Sequence, residues 1–201
     1  MDLRTDLGDA LGAPYYKIEG LAAIPGRADA DDQLLFGVRE VGRNHEDFDY
    51  VCRVVSAPYR MHGDDLLFTG DFEVVYDFDP GGYPGIRFEV GLSSLEYDPE
   101  TDDLYFLTSY EFEHEAGHDQ TGAYMWRLSR ADFLAGADPQ LVYGETGAVF
   151  EFANKAEGVA VLGQARLFVV YDPDRQLSLE EEHPREAREP QEAPYTVLAL
   201  E

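Results

Sequence analysis

The sequence contains very little lysine and cysteine, and each scarcity excludes a class of protein. Only two of its 15 basic residues are lysines, Lys17 and Lys155, while 41 of its 201 residues are Asp or Glu, so the formal net charge is −26. A chain this acidic does not hold a nucleic-acid backbone or an anionic membrane surface by general electrostatics. The single cysteine, Cys52, excludes an internal disulfide and a metal site built from several thiolates.

Long apolar runs are also missing. No stretch approaches the ~20 apolar residues that a membrane-spanning helix needs, so we expect no membrane insertion. Residues 1–14 lack the basic start and apolar stretch of a secretory signal, which predicts a cytoplasmic location. The content of hydrophobic residues, 44%, is nevertheless high enough to fill a core, which argues against a disordered chain.

The charge itself is typical of proteins that are soluble in high salt. Carboxylates are strongly hydrated, and molar salt screens most of their mutual repulsion. A GC-rich genome also favours arginine over lysine, but codon usage does not explain a net charge of −26. We therefore predict a halophilic, acidic protein.

Three segments of the chain resemble one another, and each begins with a strand that contains glycine. These first strands are predicted at residues 17–24, 88–95 and 155–162, where Gly20, Gly91 and Gly158 take the same place. Each is followed by a turn and further short strands rich in Val, Tyr, Phe and Leu. A glycine on an innermost strand lets two backbones approach closely. Helix signals occur only at residues 3–11 and 129–135, the second with Ser129 as its cap.

This repeat predicts an all-β fold of antiparallel four-stranded propeller-like blades, about three in this chain. The blades are predicted at residues 17–80, 86–145 and 153–201 of a single domain that spans 1–201, and residues 179–193 are predicted to form an exposed charged loop. A β-sandwich or barrel is the alternative. Three blades do not close a ring, since propellers typically have about four to eight. We therefore expect a larger propeller, an open stack of sheets, or self-association that completes the ring.

Glu19-Gly20-Leu21-Ala22 and the strand end Gly37-Val38-Arg39 form a pattern whose first half returns as Glu157-Gly158-Val159-Ala160. It resembles an uncharacterised bacterial family of propeller-like proteins related to the esterase-like phytase and sugar-lactonase propellers. Such propellers often hold a divalent cation at the channel mouth. The resemblance therefore implies a Ca²⁺ site, and its candidate ligands are Glu19, Glu157, Asn154 and Asp172. Val90 replaces the glutamate in the middle repeat, so a symmetric site is not expected.

The same inner positions allow two interpretations. Converging carboxylates such as Glu19, Glu40 and Glu157 bind hard cations, with Arg39 left to contact an anionic ligand. They can equally pair with Arg39 as a structural ion network. The first prediction is a binding or scaffold protein for an unknown ligand, with or without a divalent cation in a carboxylate-lined channel. The alternative is a Ca²⁺-dependent hydrolase of esters, lactones or phosphate esters, so the sequence leaves catalysis undecided.

One short motif suggests a different metal. His114-Glu115-Ala116-Gly117-His118 matches the HExxH pattern of zinc metalloproteases, in which a helix turns both histidines toward one Zn²⁺. Here the motif falls between two predicted strands, and its glycine weakens a helix further. We therefore expect a solvated loop, and zinc bound by His114 and His118 is only a remote alternative. Cys52 lies within a predicted strand and is expected to be a core residue.

Overall fold

The computed structural model describes residues 2–27, 30–112, 120–163, 165–172 and 193–200. Most of these residues lie in antiparallel strands. The strands are β1 (Tyr15–Ile24), β2 (Asp32–Asn44), β3 (Asp47–His62), β4 (Asp65–Phe68), β5 (Glu73–Phe78), β6 (Gly91–Asp98), β7 (Asp103–Phe112), β8 (Gln120–Ser129), β9 (Gln140–Leu141), β10 (Glu151–Phe152), β11 (Ala156–Gly163), β12 (Arg166–Tyr171) and β13 (Tyr195–Ala199). The prediction of an all-β, antiparallel fold is confirmed.

Two short α-helices lie where the sequence predicts them. Helix α1 (Leu3–Leu11) begins after Asp2, whose carboxylate accepts from the first-turn N–H groups, and it ends at Gly12 in a left-handed conformation. Helix α2 (Arg130–Ala135) is capped by Ser129, whose hydroxyl accepts from Asp132 N. Neither described helix is long and apolar enough to cross a membrane.

The strands form three separate sheets that follow one another along the chain. The first sheet has the order β1-β2-β3-β4, with β5 also paired to β3; the second has the order β6-β7-β8-β10, with β9 also paired to β8. The third sheet has the order β11-β12-β13. Within the described ranges none of them closes into a barrel, so the barrel alternative does not describe this chain.

Two details differ from the predicted strands. Strand β6 begins only at Gly91, which pairs with Ser109, although the repeat predicts a strand from residue 88. The preceding side chains are engaged elsewhere, because the Phe88 ring packs 4.6 Å from the Tyr110 ring and Val90 is buried in a core. Strand β10 was not predicted and lies beyond the second predicted blade. Its two residues are too few for a periodic pattern to indicate a strand.

The sheets lie in a stack with an apolar core between each pair of neighbours. The second sheet is buried on both faces, since Leu104 and Phe106 pack toward the first sheet while Tyr105 and Leu107 pack toward the third. Helix α1 covers the far face of the first sheet, where Leu7 is 1% exposed. The order of layers is therefore α1, first sheet, second sheet, third sheet.

Candidate functional site

The first strands of the three sheets lie close together, with β6 between β1 and β11. Glycines permit this approach, as the sequence predicts. A Cβ atom on Gly37 would lie 2.6 Å from Leu92 Cδ2, and one on Gly20 would lie 3.1 Å from Leu95 Cβ. Side chains here would push the first and second sheets apart.

Arg39 crosses from the first sheet to the second over Gly91, the aligned glycine of the second repeat. A Cβ atom on Gly91 would lie 2.7 Å from both Arg39 Cγ and Tyr50 Cδ1. The guanidinium is 1% exposed and donates to Gly91 O at 3.1 Å, to Ser109 Oγ at 2.8 Å and to Ser109 O at 3.3 Å. The Tyr50 ring covers it at 4.9 Å. Arg39 therefore fixes β2 against β6 and β7.

Two carboxylates of the first sheet face the Nε atom of Arg39, while its two Nη atoms make the hydrogen bonds to the second sheet. Its Nε atom lies 3.3 Å from Glu19 Oε2 and 3.5 Å from Glu40 Oε1. Lys17 Nζ lies 3.2 Å from the same Glu40 oxygen and 3.9 Å from Glu19 Oε1. Glu40 is only 2% exposed, so it is a buried carboxylate between two cations.

The third sheet contributes a matching pair. Lys155 Nζ lies 2.5 Å from Glu157 Oε1 and 3.7 Å from Glu111 Oε2 of the second sheet. The pair from the third sheet and the charged groups of the first sheet are close enough to influence each other. The charge of Glu157 raises the pKa of Glu19, and the charge of Arg39 acts to lower the pKa of Lys155. We call the whole set the inner-strand charge network. Its members are Lys17, Glu19, Arg39, Glu40, Glu111, Lys155 and Glu157.

Burial and charge act in opposite directions on the titration of this network. Burial raises the pKa of Glu19 above its ordinary value and Glu157 adds to the rise, although Arg39, Lys155 and Lys17 oppose it. Burial lowers the pKa of Lys155, but its contact with Glu157 outweighs this effect, so that pKa is raised overall. Lys155 therefore keeps its charge, while Glu19 takes up a proton more readily than an exposed glutamate.

The structure places the predicted site residues unequally. Glu19, Glu157 and Arg39 belong to one network, whereas Asp172 is exposed and its backbone N–H donates to Lys155 O at 3.3 Å. Asn154 is half-buried and directly precedes Lys155. His114 and His118 lie outside the described residues.

Sequence reasoning missed the two lysines and one carboxylate of the network. Both lysines of the chain belong to it, although neither was among the predicted site residues, whose one cation was Arg39. The signal was available, because Lys-x-Glu-Gly occurs at residues 17–20 and again at 155–158. Glu111 has no counterpart in the other repeats, so no comparable signal marked it.

The network does not fit a Ca²⁺ site as it is arranged. Calcium takes about six to eight oxygen ligands. Among the described residues, no group of three His, Cys, Asp or Glu side chains is placed to hold a metal ion. The glutamates face Lys17, Arg39 and Lys155 instead. The calcium site therefore stays a prediction from the resemblance.

A cleft of about 820 Å³ opens beside the network between β3, β5 and residues 86–90. Tyr50 belongs to both places, because it covers Arg39 and also lines the cleft together with Phe78, Arg87 and Cys52. Cys52 is 1% exposed, and burial raises the pKa of its thiol well above the ordinary value. Cys52 is thus a core residue, as predicted, and not an activated nucleophile.

No family model matches this sequence, and no curated protein does either. The resemblance to phytase and lactonase propellers therefore rests on the residues quoted for it.

Proposed function

We propose that this chain is a propeller-like binding or scaffold protein, in which the inner-strand charge network joins three blade-like sheets. One observation carries the proposal. Every carboxylate of the network has a lysine or arginine nitrogen at 2.5 to 3.7 Å, so the charged groups of the inner strands pair with each other.

The origin of the network members supports a structural role. They come from β1, β2, β7 and β11, with Lys155 directly before β11, and therefore from all three sheets. A buried charge that loses its partner destabilises a protein strongly, so such a network favours the one arrangement in which every member is paired. The close approach at Gly20 and Gly37 is also what a blade-like inner strand requires.

The binding role would fall to the cleft beside Tyr50. Its walls combine the aromatic ring of Phe78 with the charged side chains of Asp77 and Arg87, a mixture that suits a small ligand with apolar and polar parts.

One observation favours the alternative, a Ca²⁺-dependent hydrolase. Burial raises the pKa of Glu19, and an upward shift of this kind is one way in which enzymes tune a carboxylate for general acid–base catalysis. The two functions differ in what Glu157 does. In a scaffold it neutralises Lys155, whereas in a hydrolase it holds the metal.

Glu157→Gln separates these roles. For a scaffold, we expect the variant to lower the free energy of unfolding by about 1–3 kcal/mol, because Lys155 is buried and loses its nearest partner. Calorimetric titration with Ca²⁺ should give the same heat for wild type and variant. Glu145→Gln, at an exposed residue between β9 and β10, is the control and should change neither quantity. Saturable Ca²⁺ binding that Glu157→Gln abolishes would contradict the scaffold and support the hydrolase.

A further inference from the structure

Among the described residues, one face of the third sheet is covered and the other is open. Val159, Leu167 and Val169 point toward the second sheet and are buried in the core between them. The residues of opposite parity form the outer face, as the pairs Ala160↔Phe168, Phe168↔Val197 and Val170↔Tyr195 show. The outward positions of the three strands are Gly158, Ala160, Leu162, Arg166, Phe168, Val170, Tyr195, Val197 and Ala199.

This outer face is apolar and accessible. Tyr195 is 61% exposed, while Leu162 and Val197 are each 48% exposed. None of the apolar clusters formed by the described residues includes an outward-facing side chain of this sheet. A contiguous apolar surface of this kind is typical of an interaction site in a soluble protein.

The charge pattern distinguishes this face from the rest of the protein. Asp and Glu make up 41 of the 201 residues, yet no outward strand position of the third sheet carries either. The charges stand at the two ends of the middle strand, with Arg166 at its start and Asp172 directly after its end. The face thus has an apolar centre between one positive and one negative end.

We infer that the outer face of the third sheet binds the same face of a second copy of this chain. A two-fold axis that lies between the two faces, perpendicular to β12 and level with its middle, sets the two β12 strands antiparallel. Arg166 of each copy then lies toward Asp172 of the other, and the apolar centres cover each other. The face is therefore complementary to itself in charge, and its apolar centre meets another apolar centre. This inference does not depend on the proposed function of the charge network.

The opposite end of the stack limits how such an assembly grows. Head-to-tail packing would require the outer face of the first sheet, but α1 already covers it through Leu7. The assembly consequently ends at two copies. Each copy carries a charge of −26, so repulsion between the copies weakens the pair in dilute buffer and salt restores it.

Sedimentation velocity of the full chain tests the pairing in about 0.1 M and about 2 M KCl. We expect a species of twice 22.6 kDa whose affinity rises with salt. Val197→Glu should raise its dissociation constant at least roughly tenfold, because it places an unpaired carboxylate in the apolar centre. Leu134→Glu on α2, where the leucine is 65% exposed, is the matched control and should leave the dimer unchanged.

The two charged ends provide a second test that leaves the apolar centre intact. Arg166→Asp should weaken the dimer, and the double variant Arg166→Asp, Asp172→Arg should restore it, because only antiparallel β12 strands bring these positions together. Circular dichroism shows whether each variant is folded. If Val197→Glu does not fold, the two charge variants decide whether the inference holds. A wild-type chain that stays monomeric in both salts overturns the inference. So does a dimer that is insensitive to both Val197→Glu and Arg166→Asp.

Discussion

Arg39→Met is the sharpest test of the inner-strand charge network. The substitution keeps an unbranched apolar stem but removes the guanidinium and its three hydrogen bonds to Gly91 and Ser109. It also leaves Glu40, which is 2% exposed, with the Lys17 ammonium at 3.2 Å as its remaining cation among the described contacts. Breaking a buried charge pair typically costs about 3–5 kcal/mol. Since Lys17 stays in place, we expect a loss near the lower end, about 3 kcal/mol.

Urea unfolding at constant salt measures this loss. An ionic denaturant would itself screen the network, so guanidinium is unsuitable. Arg39→Lys should recover only part of the stability, because an ammonium group does not reproduce the planar contacts to Gly91, Ser109 and the Tyr50 ring. Arg43→Met is the control. Arg43 forms an ion pair with Asp47 at 2.8 Å, but its side chain is 76% exposed, so the loss should stay below about 1 kcal/mol.

The comparison between the two arginines decides the outcome. If Arg39→Met costs no more than Arg43→Met, the buried network does not hold the sheets together and our reasoning about it is wrong. An unchanged dependence of the unfolding free energy on urea concentration would show that both variants unfold from the same native fold.

Two further predictions concern the same region. The pKa of Glu19 is raised in the folded state, so Glu19 takes up a proton on folding at a pH between its unfolded and folded pKa values. Wild type should therefore gain stability relative to Glu19→Gln as the pH falls toward 4.5, and it should lose that gain as the pH rises through the raised pKa. Urea unfolding of both proteins across this range measures it, and a constant difference between them would contradict the burial of the Glu19 charge. Gly37→Ala should destabilise the protein by about 1–3 kcal/mol, because its Cβ atom would meet Leu92 Cδ2 and Gly20 Cα. Gly82→Ala, which meets nothing within 4 Å, should have little effect, and equal thermal midpoints for the two variants would refute the close packing of the sheets.

The strands and helices were largely predictable because they depend on local patterns. Residues 104–107 of β7 form an apolar run since both faces of the strand are covered, and α1 has the bounds that its helix signal predicts. The contacts that join the sheets, such as the one between Lys155 and Glu111, were not predictable in the same way. They depend on how three separate sheets pack, and no local pattern specifies which of 41 carboxylates meets a given cation.

The start of β6 shows the same limit on a smaller scale. Residues 88–90 have the composition of a strand, but Phe88 packs on the Tyr110 ring, and this long-range contact replaces strand pairing. Tertiary contacts of this kind override a local preference without leaving a trace in the segment itself.

The reactivity of the two lysines can be used to measure how the sheets of this protein move relative to each other. Lys17 and Lys155 are the only lysine amines in the chain, and both belong to the charge network. The Lys155 side chain is 11% exposed and lies where the second and third sheets meet, whereas that of Lys17 is 40% exposed. An amine-acylating reagent reaches Lys155 readily only when these sheets separate. The rate of its acylation relative to Lys17 thus measures how often the native protein opens at this joint, with no added probe.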